Sequence, residues 1–189
     1  FWGPRAGLPS SQWIAQSAKW IEEREKPELS LVYLPHLDYD LQRYGPSSPQ
    51  ASQAVQELDA LVGELLHFYE SQKVRVIILS EYGLTPAKQV IYPNRVLRQK
   101  GWLSIKNELG LEYLDCGGSQ AFCLTDHQIA HVYLNRQDDA FVSKVRKEME
   151  SLEGVARVFS GKERASIGLD HDRAGDLVLL AREDAWLDR

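Results

Sequence analysis

Two short segments concentrate side chains able to hold a cation or handle a phosphoryl group. The first runs Pro35-His36-Leu37-Asp38-Tyr39-Asp40-Leu41-Gln42-Arg43-Tyr44-Gly45-Pro46, and the second Ser80-Glu81-Tyr82-Gly83-Leu84-Thr85-Pro86. Carboxylate oxygens suit hard divalent cations, and imidazole suits zinc, iron or manganese. Asp38 and Glu81 are therefore the candidate metal ligands, with His36, Gln42 and Tyr82 lining the same pocket. His171, set between Asp170 and Asp172 just before the turn Arg173–Asp176, is a further lining candidate. His127 and His131 are four apart, but the strand expected from Ala130 leaves His127 in the preceding turn, so the spacing defines no shared helical face. Each residue also has an ordinary structural role open to it: Asp38 as a turn cap, His36 as a satisfied loop histidine, Glu81 as an ion-pair partner. Arg43 and Arg95 could grip a phosphate with two prongs. Tyr39 or Tyr82 could stack on a base, although Trp2, Tyr33, Tyr44 and Tyr92 beside them read equally well as core and rim packing.

These segments matter because of what precedes them. Leu29–Leu34 and Val74–Leu79 are compact apolar runs of the kind buried on both faces of a sheet. Between them lies the strongest helical pattern in the chain, with Val55, Leu58, Leu61, Val62, Leu65, Leu66 and Tyr69 on one stripe. Strand, helix, strand predicts a βαβ unit with parallel strands. Ligands of such sheets bind beyond the carboxyl ends of the strands, which brings Asp38 and Glu81 to neighbouring strand tips in one hollow. A helix is expected over about 12–25, capped by Ser10 or Ser11 and carrying Trp13, Ile14, Ala18 and Ile21 on one face. Short strands are expected at 111–114, 121–124, 130–134, 155–159 and 176–180, with a helix over 138–152. The expected architecture is α/β, a mostly parallel sheet flanked by helices. It forms a single domain over 1–189, with room for a small subdomain at 110–160.

Composition narrows the function classes. The 189 residues carry 22 Lys+Arg against 27 Asp+Glu, a net charge of −5, with no basic block. That argues against a nucleic-acid partner gripped through its phosphates. No apolar run approaches the ~20 residues that span a bilayer. Cys116 and Cys123 are too few for a disulfide framework. Seven residues apart on adjacent strands, they could bridge, but read better as free thiols in a reducing, cytoplasmic setting. The first residue is Phe1, and the opening lacks the regions of a signal peptide. The sequence is therefore expected to be part of a longer protein.

The pattern strand-Asp-x6-Gly-Pro, long helix, strand-Ser-acid-x-Gly resembles the type I phosphodiesterase/nucleotide pyrophosphatase branch of the alkaline phosphatase superfamily. The stretches FWGP, LVYLPHLDYDLQRYGP, ILSEYG, NRVLRQKGWL, FCLTDHQIAHVYL and HDRAGDLVLLAREDAW are similar to a bacterial subgroup of it. The resemblance implies an alkaline-phosphatase-like fold, incomplete at both ends, as the C-terminal part of a larger domain. It also implies two zinc-like metals held by Asp and His at strand ends, and a Thr or Ser nucleophile that lies outside this sequence. In such a two-metal arrangement one ion serves the nucleophile and the other the phosphoryl group.

Against the family pattern, Asp38 matches the motif Asp and Gly45-Pro46 the Gly-Pro, but Gln42 stands where a His is expected. The following Ser-Asp-His-Gly appears as Ser80-Glu81-Tyr82-Gly83. An amide and a phenol are poorer ligands than imidazole. The site is thus expected to take one harder metal, to use other histidines, or to hold no metal; zinc and manganese are the candidate divalent cofactors. Two functions follow. One is hydrolysis of a phosphodiester or pyrophosphate bond in a small phosphorylated molecule, and the other a non-catalytic ligand-binding or scaffolding descendant. A sheet lacking its first strands would expose an edge, so missing sequence or a second copy is expected to cover it.

Overall fold

Gly3 and residues 6–189 are described in the computed structural model; Phe1, Trp2, Pro4 and Arg5 lie outside the described residues, and with them the Trp2 considered above. The chain forms two compact units, Phe1–Pro86 and Ala87–Arg189. The expected subdomain at 110–160 falls inside the second, which takes in flanking strands as well.

The first unit is helical. α1 spans Leu8–Glu25, starting earlier than the sequence suggests. Pro9 sits in its first turn, where a missing N–H costs nothing, and Ser10 and Ser11 are buried inside the helix rather than capping it. Ala15 faces inward, whereas Trp13 and Ile21 are exposed, so the packed face differs from the expected one. α2 spans His36–Tyr44 and ends at Gly45, whose φ of +83° suits glycine. The sequence suggests a loop here, because nine residues with two aspartates show no apolar stripe. α3 spans Pro49–Ser71; the Ser48 hydroxyl accepts from the Ala51 amide at 3.1 Å, and Pro49 fits the first turn. Its buried positions, Ala51, Ala54, Leu61, Leu65 and Tyr69, recur at helical spacing. Ala15, Leu61, Leu65 and Tyr69 make a small core, with Val32, Leu34 and Val74 packed against it.

The expected parallel pair is not formed. Neither Leu29–Leu34 nor Val74–Leu79 pairs in a ladder. Runs this apolar require neighbours on both edges and both faces, and within this unit only one side is served. Leu31 is 90% exposed, and Ile77 and Leu79 are each 79% exposed.

The second unit carries all the sheets among the described residues, and they are mostly antiparallel. This corrects the mostly parallel expectation. The physical reason is plainest at β2–β3 and β4–β5, where tight turns force antiparallel pairing, since parallel strands need long crossovers. β1 (Gln89–Ile91) leads into α4 (Pro93–Gln99). β2 (Ser104–Glu108) and β3 (Leu111–Asp115) form a hairpin. β4 (Ala121–Asp126), β5 (Ile129–Leu134), β6 (Val155–Ser160) and β7 (Leu177–Ala181) form an antiparallel sheet in the order β4-β5-β7-β6. The short β8 (Ala185–Leu187) pairs parallel to β1.

α5 (Asp139–Glu150) is capped by the Asp138 carboxylate, which accepts from the Phe141 amide at 2.9 Å. It lays Phe141, Val145 and Met149 into the same core as Val132, Val158, Leu177 and Leu179 of the sheet. Burying such side chains contributes about 1.5–3 kcal/mol each before the entropy of ordering them is counted. Cys116 and Cys123 are free thiols. Burial pushes the Cys123 thiol up to about 12. Among the described residues no helix is long and apolar enough to cross a membrane.

Candidate functional site

α2 places Asp38 in its first turn, where the positive end of the helix favours a carboxylate. Gln42 follows one turn later and is exposed; residues four apart share a helix face, so Asp38 and Gln42 are neighbours on α2. From the other side comes Ser80–Gly83. The Ser80 hydroxyl donates to the Tyr82 carbonyl at 2.8 Å, tightening the turn. The Tyr82 hydroxyl then donates to Asp38 Oδ2 at 2.6 Å, and the Tyr33 hydroxyl donates to the same oxygen at 3.4 Å. The hydrogen bond to Asp38 above all, then contact with Tyr33 and burial, raises the Tyr82 phenol well beyond its ordinary range, so it stays protonated. Burial, followed by the charge of Asp38, raises Tyr39 as well. The Tyr39 hydroxyl is buried without a hydrogen-bond partner among the described residues.

The two segments singled out in the sequence therefore meet in the first unit, through Tyr82 and Asp38. Glu81, beside Tyr82, is exposed. His36 serves another purpose. It is only 4% exposed, and its Nε2 lies 2.9 Å from Glu57 Oε2 on α3, a carboxylate that also accepts from Gln53. Hydrogen bonds from Gln53 first and then His36 hold the Glu57 carboxyl below its usual range. His36 thus ties α2 to α3 through Nε2, while its Nδ1 is buried without a hydrogen-bond partner among the described residues.

His171 belongs to the second unit, exposed, with Nδ1 accepting from the Arg173 amide at 3.0 Å. His127 sits in the β4–β5 turn at φ +59°, paired with Asp126 and edge-on to Trp186. His131 lies on β5, so the two imidazoles share no helical face. Arg95 stacks over Tyr92, 3.7 Å from the ring centre, and Arg43 lies 3.8 Å from Asp40. Tyr33 is the member of the Asp38 cluster that sequence reasoning counted only among packing aromatics. Its position at the end of the apolar run preceding Asp38 was the available signal.

The residues at this site do not fit a pair of zinc-type ions. Asp38 Oδ2 is already an acceptor for hydroxyls, Tyr82 is a protonated phenol, Gln42 supplies an amide, and His36 spends Nε2 on Glu57. Among the described residues no group of three His, Cys, Asp or Glu side chains is arranged to hold a metal.

Residues 1–189 match the model of the type I phosphodiesterase/nucleotide pyrophosphatase family. The chain belongs to this family. An uncharacterized pyrophosphatase/phosphodiesterase of Schizosaccharomyces pombe is 32% identical over 74 residues, which is 36% of this chain and 15% of that protein. The fold is similar to phosphonoacetate hydrolase from Sinorhizobium meliloti 1021, solved with phosphonoacetate, at a TM-score of 0.64 and 19% identity. That match covers 96% of this chain and 43% of the hydrolase. Murine ectonucleotide pyrophosphatase/phosphodiesterase 5 is similar at a TM-score of 0.64 and 18% identity, over 99% of this chain and 46% of that one. This member of the type I phosphodiesterase family thus spans less than half the length of the solved proteins it matches.

Proposed function

We propose that the protein containing this chain hydrolyses a phosphodiester or pyrophosphate bond in a small phosphorylated molecule, with its nucleophile outside residues 1–189. The family match over the whole chain carries this reading. It also supports treating both units as parts of one larger phosphodiesterase-like domain. Asp38 and Glu81 are the carboxylates of the site, with Gln42 and Tyr82 beside them and His36 as a lining candidate; His171, in the second unit, is a lining candidate by sequence pattern alone. The hydrogen bond from Tyr82 to Asp38 supports the common placement of those two residues. The donor set departs from what a zinc pair needs, with Gln42 and Tyr82 in place of two imidazoles. The net charge of −5 supports a small-molecule substrate over nucleic acid, and the free thiols support a cytoplasmic setting.

Full-length protein assayed with a chromogenic phosphodiester, with and without added zinc or manganese, is expected to turn over. Asp38→Ala is expected to lower kcat/KM by roughly tenfold or more, a loss of about 1.4 kcal/mol in transition-state stabilisation. Absence of turnover under every condition would remove the hydrolase reading. A second reading, a non-catalytic binding or scaffolding descendant, is favoured by Gln42 and Tyr82 standing where the family pattern has imidazoles. Inactive protein that still binds a phosphorylated ligand would support it. The aliphatic side chains left open at Leu29, Leu31, Ile77 and Leu79 support the further proposal that sequence beyond these residues, or a second copy, covers them.

A further inference from the structure

We infer that in this chain Asp38, Tyr82 and Tyr33 form a closed phenol–carboxylate cluster that takes the place of a metal centre, so that Asp38 ligates no divalent cation. The argument is one of dipole direction. Tyr82 and Tyr33 both aim their O–H bonds at Asp38 Oδ2, from 2.6 and 3.4 Å. The positive ends of two hydroxyl dipoles therefore occupy the space where a cation would approach that oxygen. To admit the cation, both hydroxyls must swing away and give up a charge-assisted hydrogen bond.

The remaining oxygen of Asp38 has poor company. Its neighbour one turn along α2 is the amide of Gln42, and the side chain that reaches across from residue 82 is a neutral phenol. Neither replaces an imidazole as a ligand for zinc. The turn at Ser80, held by its hydroxyl on the Tyr82 carbonyl at 2.8 Å, keeps the phenol directed at the carboxylate. With the donors consumed internally, the cluster offers outward only acceptor lone pairs and a negative charge.

The test uses the full-length protein and zinc alone as the probe, and it reads metal rather than turnover. Equilibrium dialysis against zinc, followed by elemental analysis, compares wild type with Asp38→Asn. The expected result is equal zinc content in the two proteins. A wild-type protein that holds one zinc more than Asp38→Asn overturns the inference. A second measurement does not depend on that variant folding. Zinc on Asp38 Oδ2 must break the Tyr82 hydrogen bond and perturb a tyrosine absorption band, so the zinc difference spectra of wild type and Tyr82→Phe are compared. Superimposable spectra support the cluster, and a tyrosine signal present only in wild type overturns it. Failure of hydrolysis would count against the proposed activity and leave this inference standing; zinc on Asp38 would do the reverse.

Discussion

The imidazole of His131 takes the amide hydrogen of Gly175 on Nδ1, at 3.1 Å. That bond requires an unprotonated Nδ1. Burial first, with Arg164 adding to it and Asp126 opposing, holds the imidazole below its ordinary value near 6.5. A histidine depressed in the folded state contributes stability that is present above the unfolded value and lost as pH falls through the folded one. The unfolding midpoint should therefore drop between about pH 7 and about pH 5 by more in wild type than in His131→Gln, as read by denaturant titration at each pH. Gly175 makes the approach possible, because a Cβ there would lie 2.7 Å from the Val132 backbone. At this scale the sequence was legible for type and not for pairing. Asp38 and Tyr82 stand out as single letters, but their contact spans 44 residues, and nothing local announces that Tyr33 joins them.

Among the elements, β4 shows how a small helix can finish a sheet. It lies at the end of the order β4-β5-β7-β6. Asn94 on α4 donates to the Cys123 carbonyl and accepts from the Cys123 amide, both at 2.8 Å. One side-chain amide thus occupies both backbone groups of an edge residue, which removes a template for unwanted strand pairing. Asn94→Ala leaves those groups without their partner and should cost roughly 1–3 kcal/mol, measured as a lower denaturation midpoint with unchanged slope. α5 was readable in advance because Asp138 and the positions 141, 145 and 149 signal a cap and a stripe together. β4 and β5 were readable because apolar alternation and a tight turn coincide there, and β6 and β7 because each is a short apolar run. α2 was not, since Pro35 and a polar composition mask it, and β1 and β8, at three residues each, are too short for a period to show. The runs 29–34 and 74–79 carry strand composition, but composition cannot say whether a partner strand lies within reach.

At the scale of the whole molecule, the two hydrophobic cores draw on separate stretches. One uses residues from Leu8 to Val74, the other from Ile91 to Leu187. Residues 87–189 expressed alone should unfold in one cooperative calorimetric transition, whereas residues 1–86 alone should self-associate on sedimentation through Leu29, Leu31, Ile77 and Leu79. The separation has a consequence for how this family member can change over time. A substitution at Asp38, Gln42 or Tyr82 disturbs a helical segment whose packing is slight, while the sheet around Val132 and Leu179 keeps its own internal supports. The Asp38 cluster and the antiparallel sheet thus draw on separate cores, and a substitution in one leaves the packing residues of the other in place.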